Sequence, residues 1–351
     1  MTDIIRLTAH LAGVRHKFRG FHEKLKSSGD EAAFLKLVME KLPPDERKTL
    51  ECEAEKSADR SWTVTGFFDH AYPPLLRKIS SPPYLLFSNR ELSDLGENCV
   101  AVVGARKCTE YGKKICNSIS YLLSARGFTL VSGMAAGIDS ICHRAALECS
   151  GKTVGVAAWG LDHKLPSSQA ELQNAISRKG YLITEYPPPF SPDRTTFPTR
   201  NRLISGLCSA VIVVEAEVHS GSLITAKHAF SQNRDLFVVP GRLGDEMSAG
   251  CLLLAHENKA RIIFSLEQFA EQLTGMGLAP VEKLPPTKPD LTDEQSMLLK
   301  LVLEAGQPVG GDLLSRKSGI QPSRLSCILL ELELKGLIRK LPGNVYSAKE
   351  S

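Results

Sequence analysis

The feature that most constrains this chain is a series of short, unbroken apolar runs that begins at Cys99. The runs are Val100–Val103, Phe128–Val131, Thr153–Ala158, Tyr181–Thr184, Ala210–Val214, Leu236–Val239 and Arg261–Phe264. They are rich in valine and isoleucine and do not alternate with polar residues, as strands buried on both faces read. Helical stretches lie between them, which implies parallel crossovers. The fold class that follows is α/β, a doubly wound, mostly parallel sheet.

Both flanks of this region read differently. Ile4–Leu11, Lys17–Leu25 and Ala32–Leu42 suggest helices, with Gly13, Gly29 and Pro43-Pro44 as breaks. A polar run, Glu51–Arg60, leads to Trp62-Thr63-Val64 and to two proline-marked extended segments, Tyr72–Leu76 and Pro82–Phe87. The basic stretch Arg15, His16, Lys17 and Arg19 reads as a solvated face. The proline-rich segment from Leu278 to Pro289 reads as a linker. Helices are expected over Asp293–Glu304, Gly311–Ser318 and Pro322–Lys335, followed by a hairpin through Gly343-Asn344. Three helices and a two-stranded wing suggest a winged helix. The expected division is a helical domain over 1–60, the sheet domain over 61–278, a linker over 279–290 and the winged helix over 291–351.

Composition narrows the function classes. A net charge of +4 does not by itself point to nucleic acid, so any anion site must be local. The nine cysteines show no C-x-x-C pair, which fits reduced thiols better than disulfides or zinc. The first residues lack a signal-peptide core, and no stretch is apolar enough to cross a bilayer. The expectation is a soluble cytoplasmic protein with no metal and no cofactor.

In a doubly wound sheet, ligands bind at the carboxyl ends of the strands. Here those ends carry Gly104-Ala105-Arg106-Lys107, then Ser132-Gly133, then a long loop with Arg194, Phe197, Arg200 and Arg202, then Ser220-Gly221-Ser222. Glycine lets a backbone approach an anion, a helix N-terminus points amides at it, and arginine grips phosphate with two hydrogen bonds. One such loop alone is a weak signal, but several on one rim make a phosphate-binding face. Phe197 has two readings: a ring that stacks on a base, or a loop anchor in the core. Gly104-Ala105-Arg106 breaks the dinucleotide fingerprint, and no P-loop is present. Asp139 and His143 read as a helix-start carboxylate and a surface or structural histidine, and no nucleophile–base set is evident.

These loops resemble the DprA/Smf family. The resemblance rests on Gly104-Ala105-Arg106, on Ser132–Asp139, on Phe197-Pro198-Thr199-Arg200-Asn201-Arg202-Leu203-Ile204-Ser205, on Val213–Ala226 and on Pro240-Gly241. It implies an extended Rossmann-like domain that binds single-stranded DNA, with Arg106, Arg194 and Phe197 in the pocket. It implies a homodimer that recruits the RecA recombinase in natural transformation, without catalysis. It also implies that the N-terminal helices form a SAM-like or helix-hairpin-helix unit. The chain departs from the family pattern at Leu165–Gln169 and at Gly250–Ala255, where asparagines are replaced by Gln169 and Leu252. Those changes bear on small-nucleotide use more than on DNA binding, which the arginines carry. The rival readings are a nucleotide phosphoribohydrolase of the LOG type, whose P-G-G-x-G-T loop is absent, and a winged-helix regulator. From Asp290 to Ser351 eight acids balance eight bases, which suits protein contact before duplex binding.

Overall fold

Each central strand sends alternate side chains into two different cores, which is why its sequence reads as continuously apolar. Cys99, Ala101 and Val103 enter one core, and Val100 and Val102 enter the other. Ala210–Val213 divides the same way, with Val211 and Val213 on the first side and Ala210 and Ile212 on the second. Helices therefore have to cover both faces of the sheet.

The structure is a computed structural model that describes residues 2–58, 62–96, 98–188, 190–275, 292–305, 307–334, 337–341 and 343–348. Four helices come first: α1 (Thr2–Val14), α2 (Phe21–Ser27), α3 (Glu31–Lys41) and α4 (Pro44–Ala58). Strand β1 (Thr63–Gly66), short helix α5 (Pro74–Arg77) and β2 (Leu85–Ser88) follow. The wound region then runs β3 (Cys99–Val103), α6 (Glu110–Ala125), β4 (Thr129–Ser132), α7 (Ile138–Glu148), β5 (Thr153–Val156), α8 (Ser167–Lys179) and β6 (Tyr181–Thr184). It continues α9 (Thr196–Gly206), β7 (Ala210–Val213), α10 (Gly221–Ser231), β8 (Asp235–Val238), α11 (Glu246–His256), β9 (Arg261–Ile262) and α12 (Leu266–Gly275).

The sheet order is β1-β2-β6-β5-β4-β3-β7-β8-β9. β3 to β9 pair in parallel, while β1 and β2 add an antiparallel edge at β6. The doubly wound α/β expectation holds. The chain builds outward from β3 to β6, then crosses back to place β7 on the other side of β3. That reversal opens a crevice at the carboxyl ends of β3 and β7.

The N-terminal helices differ from expectation in three ways. A separate helical domain through residue 60 was expected. Instead Leu11 of α1 and Phe34 of α3 share one core with Tyr84, Phe87 and Val211, and Met1–Leu284 is one compact unit. The polar run from Glu51 is the second half of α4. That helix carries Pro44 at its start and Asp45 and Glu46 in its first turn, both favourable there. Helix α2 begins at Phe21, later than the pattern suggests, because Gly20 takes a left-handed φ of 71°.

Pro285–Ser351 is a second compact unit. It contains α13 (Asp293–Ala305), β10 (Val309–Gly310), α14 (Gly311–Ser318), α15 (Pro322–Leu334), β11 (Ile338–Leu341) and β12 (Val345–Ala348), with strand order β10-β12-β11. Leu298, Leu314, Leu329 and Ile338 fill its core, the winged-helix arrangement expected from the sequence. The expected linker over 279–290 lies outside the described residues. Among the described residues no helix is long and apolar enough to cross a membrane.

Candidate nucleic-acid interface

A cavity of about 770 Å³ opens at the crevice beside β3 and β7. Gly104, Arg106 and Lys107 line it from the loop after β3. Two devices fix that loop. Buried Glu215 accepts hydrogen bonds from the Thr109 amide at 2.9 Å and the Thr109 hydroxyl at 2.5 Å. Gly137 has φ 80°, and a Cβ there would collide with the carbonyl oxygens of Ala105 and Arg106. A glycine just before α7 thus lets the β3 loop lie across that helix start, with Arg106 and Lys107 exposed.

The opposite wall is the loop into α9. Asp193 ties off the first turn, accepting from the amides of Thr195 at 2.7 Å and Thr196 at 3.1 Å. The Thr195 hydroxyl, donating at 2.6 Å, does most to hold its carboxyl below the usual aspartate range, and the amides add to it. Arg194 is exposed on this wall. Phe197 is partly anchored and partly open to the cavity. It is half-buried, with Trp159 at 6.4 Å between ring centroids, and the Arg106 guanidinium lies 5.8 Å from its ring centre.

Along α9 the cavity is lined by Pro198 and by Phe197, Arg200, Asn201 and Ile204, the last four forming one helical stripe. Arg200 touches the cavity but is almost wholly buried. It donates to the carbonyls of Gly133, at 2.5 Å, and Val156. Beside it lies Asp139, which accepts from the amides of Gly133 at 3.1 Å and Ala135 at 3.2 Å. Burial pulls Arg200 down to about 10 and pushes Asp139 up, while each opposes the other's shift. This pair braces the loop after β4.

Three expected site residues lie outside the cavity lining. Ser132 is buried and donates its hydroxyl to the Val102 carbonyl at 2.7 Å. Gly133 is taken up by Asp139 and Arg200. Arg202 leaves the other side of α9 and pairs with buried Glu185. Their sequence neighbours suggested a common rim, but their contacts are internal. Of the surface and structural readings of His143, the structural one holds: it is buried, with Nδ1 2.7 Å from the Thr153 hydroxyl, and burial drops it to about 3.

The third wall is the start of α10. Ser220 caps it, accepting from the Ser222 amide at 3.3 Å, and the two hydroxyls lie 2.8 Å apart. A Cβ on Gly221 would meet open space, so a ligand can approach the backbone there. Ser220, Gly221 and Ser222 all line the cavity, as expected. The sequence reading missed Asn201, whose side chain donates to the Gly221 carbonyl at 3.2 Å and links the two walls. Thr225, a further hydroxyl donor expected on this rim, also lines the cavity, while Glu217 and Met247 were missed. Helical spacing from Phe197 would have found Asn201; nothing local marks Glu217 or Met247.

The cavity therefore presents Arg106, Lys107 and Arg194 as exposed cations and the positive end of α10. Its acids are Asp139 and Asp193, both occupied by amides, and exposed Glu217. The arrangement suits a phosphate chain with a flat ring beside it.

Comparison with known proteins follows this geometry. The family described as DNA recombination-mediator protein A matches residues 63–274, and the DprA winged helix domain matches residues 282–344. The chain is 35% identical over 244 residues to DNA processing protein DprA of Bacillus subtilis, covering 69% of this chain and 80% of that protein. The structure of DNA processing protein A from Streptococcus pneumoniae aligns with TM-score 0.59 at 31% identity, over 78% of this chain and 93% of that one. The Helicobacter pylori protein, whose structure was described for its single-stranded DNA binding mode, aligns with TM-score 0.57 at 28% identity, over 63% of this chain and 99% of that one.

Proposed function

The chain belongs to the DNA recombination-mediator protein A family, and from that premise we propose that it binds single-stranded DNA in the cavity at the β3–β7 crevice. The observation that carries this reading is the convergence of Arg106, Lys107, Arg194, the α10 N-terminus and the half-exposed ring of Phe197 on one cavity. Phosphates lie against the cations and amides, and a base lies against the ring. Single strands splay their bases outward and can present both groups at once; a duplex keeps its bases stacked. A salt-titrated comparison of single-stranded and duplex DNA tests this. Single strands should bind more tightly at matched salt, with steep salt dependence, and equal affinity would count against the reading.

On this reading the protein is a mediator in the cytoplasm. It protects incoming single strands and passes them to the RecA recombinase during natural transformation. It acts without catalysis: Asp139 and Asp193, two of the three acids that line the cavity, are spent on backbone amides. Incubation with nucleoside monophosphates should release no free base. The working form is a homodimer. End strand β9 is exposed, and Ile262 and Phe264 stand out from it, Phe264 at 79% exposure. Phe264→Asp should convert a dimer to a monomer in light scattering.

A further inference from the structure

The first cavity does not end at α9. Asp193, Pro198 and Ile224 line both it and a second cavity of about 660 Å³, which lies between the N-terminal helices and α9. The two differ in chemistry. The first offers exposed cations and one aromatic ring. In the second, Arg15 and Arg202 are matched by Glu185 and Asp193, and eight of its 21 lining residues carry aromatic or imidazole rings.

The second cavity is built around a stack. Tyr186 and Phe190 lie 4.7 Å apart at 30°, and the Arg15 guanidinium sits 4.5 Å from the Phe190 ring centre. Arg15 is held in place by Glu53 at 2.5 Å. Below lie Glu185, whose Oε1 has no hydrogen-bond partner among the described residues, and Arg202, whose Nη1 also lacks one. His10 and His22 lie beside them, both lowered to about 4 by burial, so they add no charge near neutral pH. Ring-lined walls and balanced charge suit a flat uncharged heterocycle better than a phosphate.

We propose that the second cavity receives an unstacked nucleobase of the strand whose phosphates occupy the first. The inference rests on the single-stranded DNA reading of the first cavity. A strand leaving that cavity over Pro198 can keep its phosphates on the cation side and turn one base toward the Phe190 stack. The planar guanidinium of Arg15 is itself a surface on which a base stacks. The N-terminal helices then belong to the DNA site, and the basic stretch after α1 is more than a solvated face.

The test uses the full chain and an oligothymidylate of roughly 20 nucleotides. One base at a time is removed to leave an abasic position, and affinity is measured at each. The expected result is one position, or two adjacent ones, where base removal weakens binding ~10-fold more than elsewhere. Phe190→Leu should weaken the intact strand by a similar factor, abolish that positional sensitivity and leave the salt slope unchanged. Thr199→Trp, which fills the cavity without touching the stack, should do the same and guards against a Phe190 variant that misfolds. A flat scan in the parent, or a sensitive position that survives in both variants, overturns the proposal. Arg106→Ala separates the two readings. If it weakens every strand while the scan stays flat, only the base cavity is wrong; if it is silent, the first cavity is not the DNA site.

Discussion

Three arginines fall within the nine residues from Arg194 to Arg202, and the fold treats the two ends of this segment in opposite ways. At the loop end, Arg194 is exposed beside Arg106 and Lys107, with its charge available to a ligand. In the helix, Arg200 is fastened to the Gly133 and Val156 carbonyls near Asp139, and Arg202 to Glu185. The difference teaches that an arginine-rich motif is not one binding surface. Buried Arg200 braces the first cavity, Arg202 is held half-buried by Glu185 at the second, and Arg194 stands exposed.

The strongest way to break this contrast is to remove Arg200. Asp139 would lose the nearby charge that offsets its burial, and the Gly133 and Val156 carbonyls would lose their donor, at about 1–3 kcal/mol for each buried group left unpaired. Arg200→Ala should therefore lower the urea midpoint sharply, and a stable Arg200→Ala protein that merely binds DNA poorly would place Arg200 with the ligand groups.

Protonation of the buried side comes next. His10 donates from Nε2 to the Glu185 carbonyl at 2.6 Å and accepts at Nδ1 from the Leu85 amide at 3.2 Å, so it is held neutral. Its folded value, about 4, lies below the ordinary 6.5. The unfolded chain therefore binds more protons between those values. Stability from this group is present above pH 6.5 and is lost as pH falls toward 4, by about 3 kcal/mol in total. Asp139 and Glu185, both raised by burial, work in the opposite direction. The difference in urea midpoints between the parent and His10→Gln, followed from pH 7 to 4.5, isolates the histidine. A constant difference would mean that His10 does not report on this core.

Phe197 sharpens the contrast because it belongs to both sides. Phe197→Ala should weaken single-strand binding by about 1–3 kcal/mol with the salt slope nearly unchanged. It should also cost a little stability through lost contact with Trp159. Loss of stability alone would make the ring an anchor only. The smallest effect is expected from removing residues 291–351. That module is close to charge balance and forms its own core, so most single-strand affinity should remain. A large loss with the sheet unit still folded would make the winged helix a principal contact.

Most of the fold could be read from the chain because double-sided burial forces unbroken apolar runs. All seven runs overlap a strand of the sheet, and even β9, two residues long, falls inside its run. Helix α4 escaped because its surface is polar nearly all round, leaving little apolar stripe to see. The merging of α1–α4 with the sheet also escaped, since apolar faces do not announce their partners. At the site, glycine and serine loops marked the right rim. They could not tell exposed Arg106 from buried Arg200, because burial is decided by which side of α9 faces the β4 loop. Helical spacing held part of the answer. Asn201 falls four residues after Phe197 on the cavity stripe, while Arg202 is turned away.

The central claim is that exposed Arg106 holds a phosphate at the β3–β7 crevice. A salt series on Arg106→Ala and the parent, with single-stranded DNA and circular dichroism alongside, measures it most directly. The account predicts an unchanged fold, weaker binding and a log–log salt slope shallower by about 0.7, one phosphate's worth for a single strand. Equal affinity and equal slope in the two proteins would contradict it.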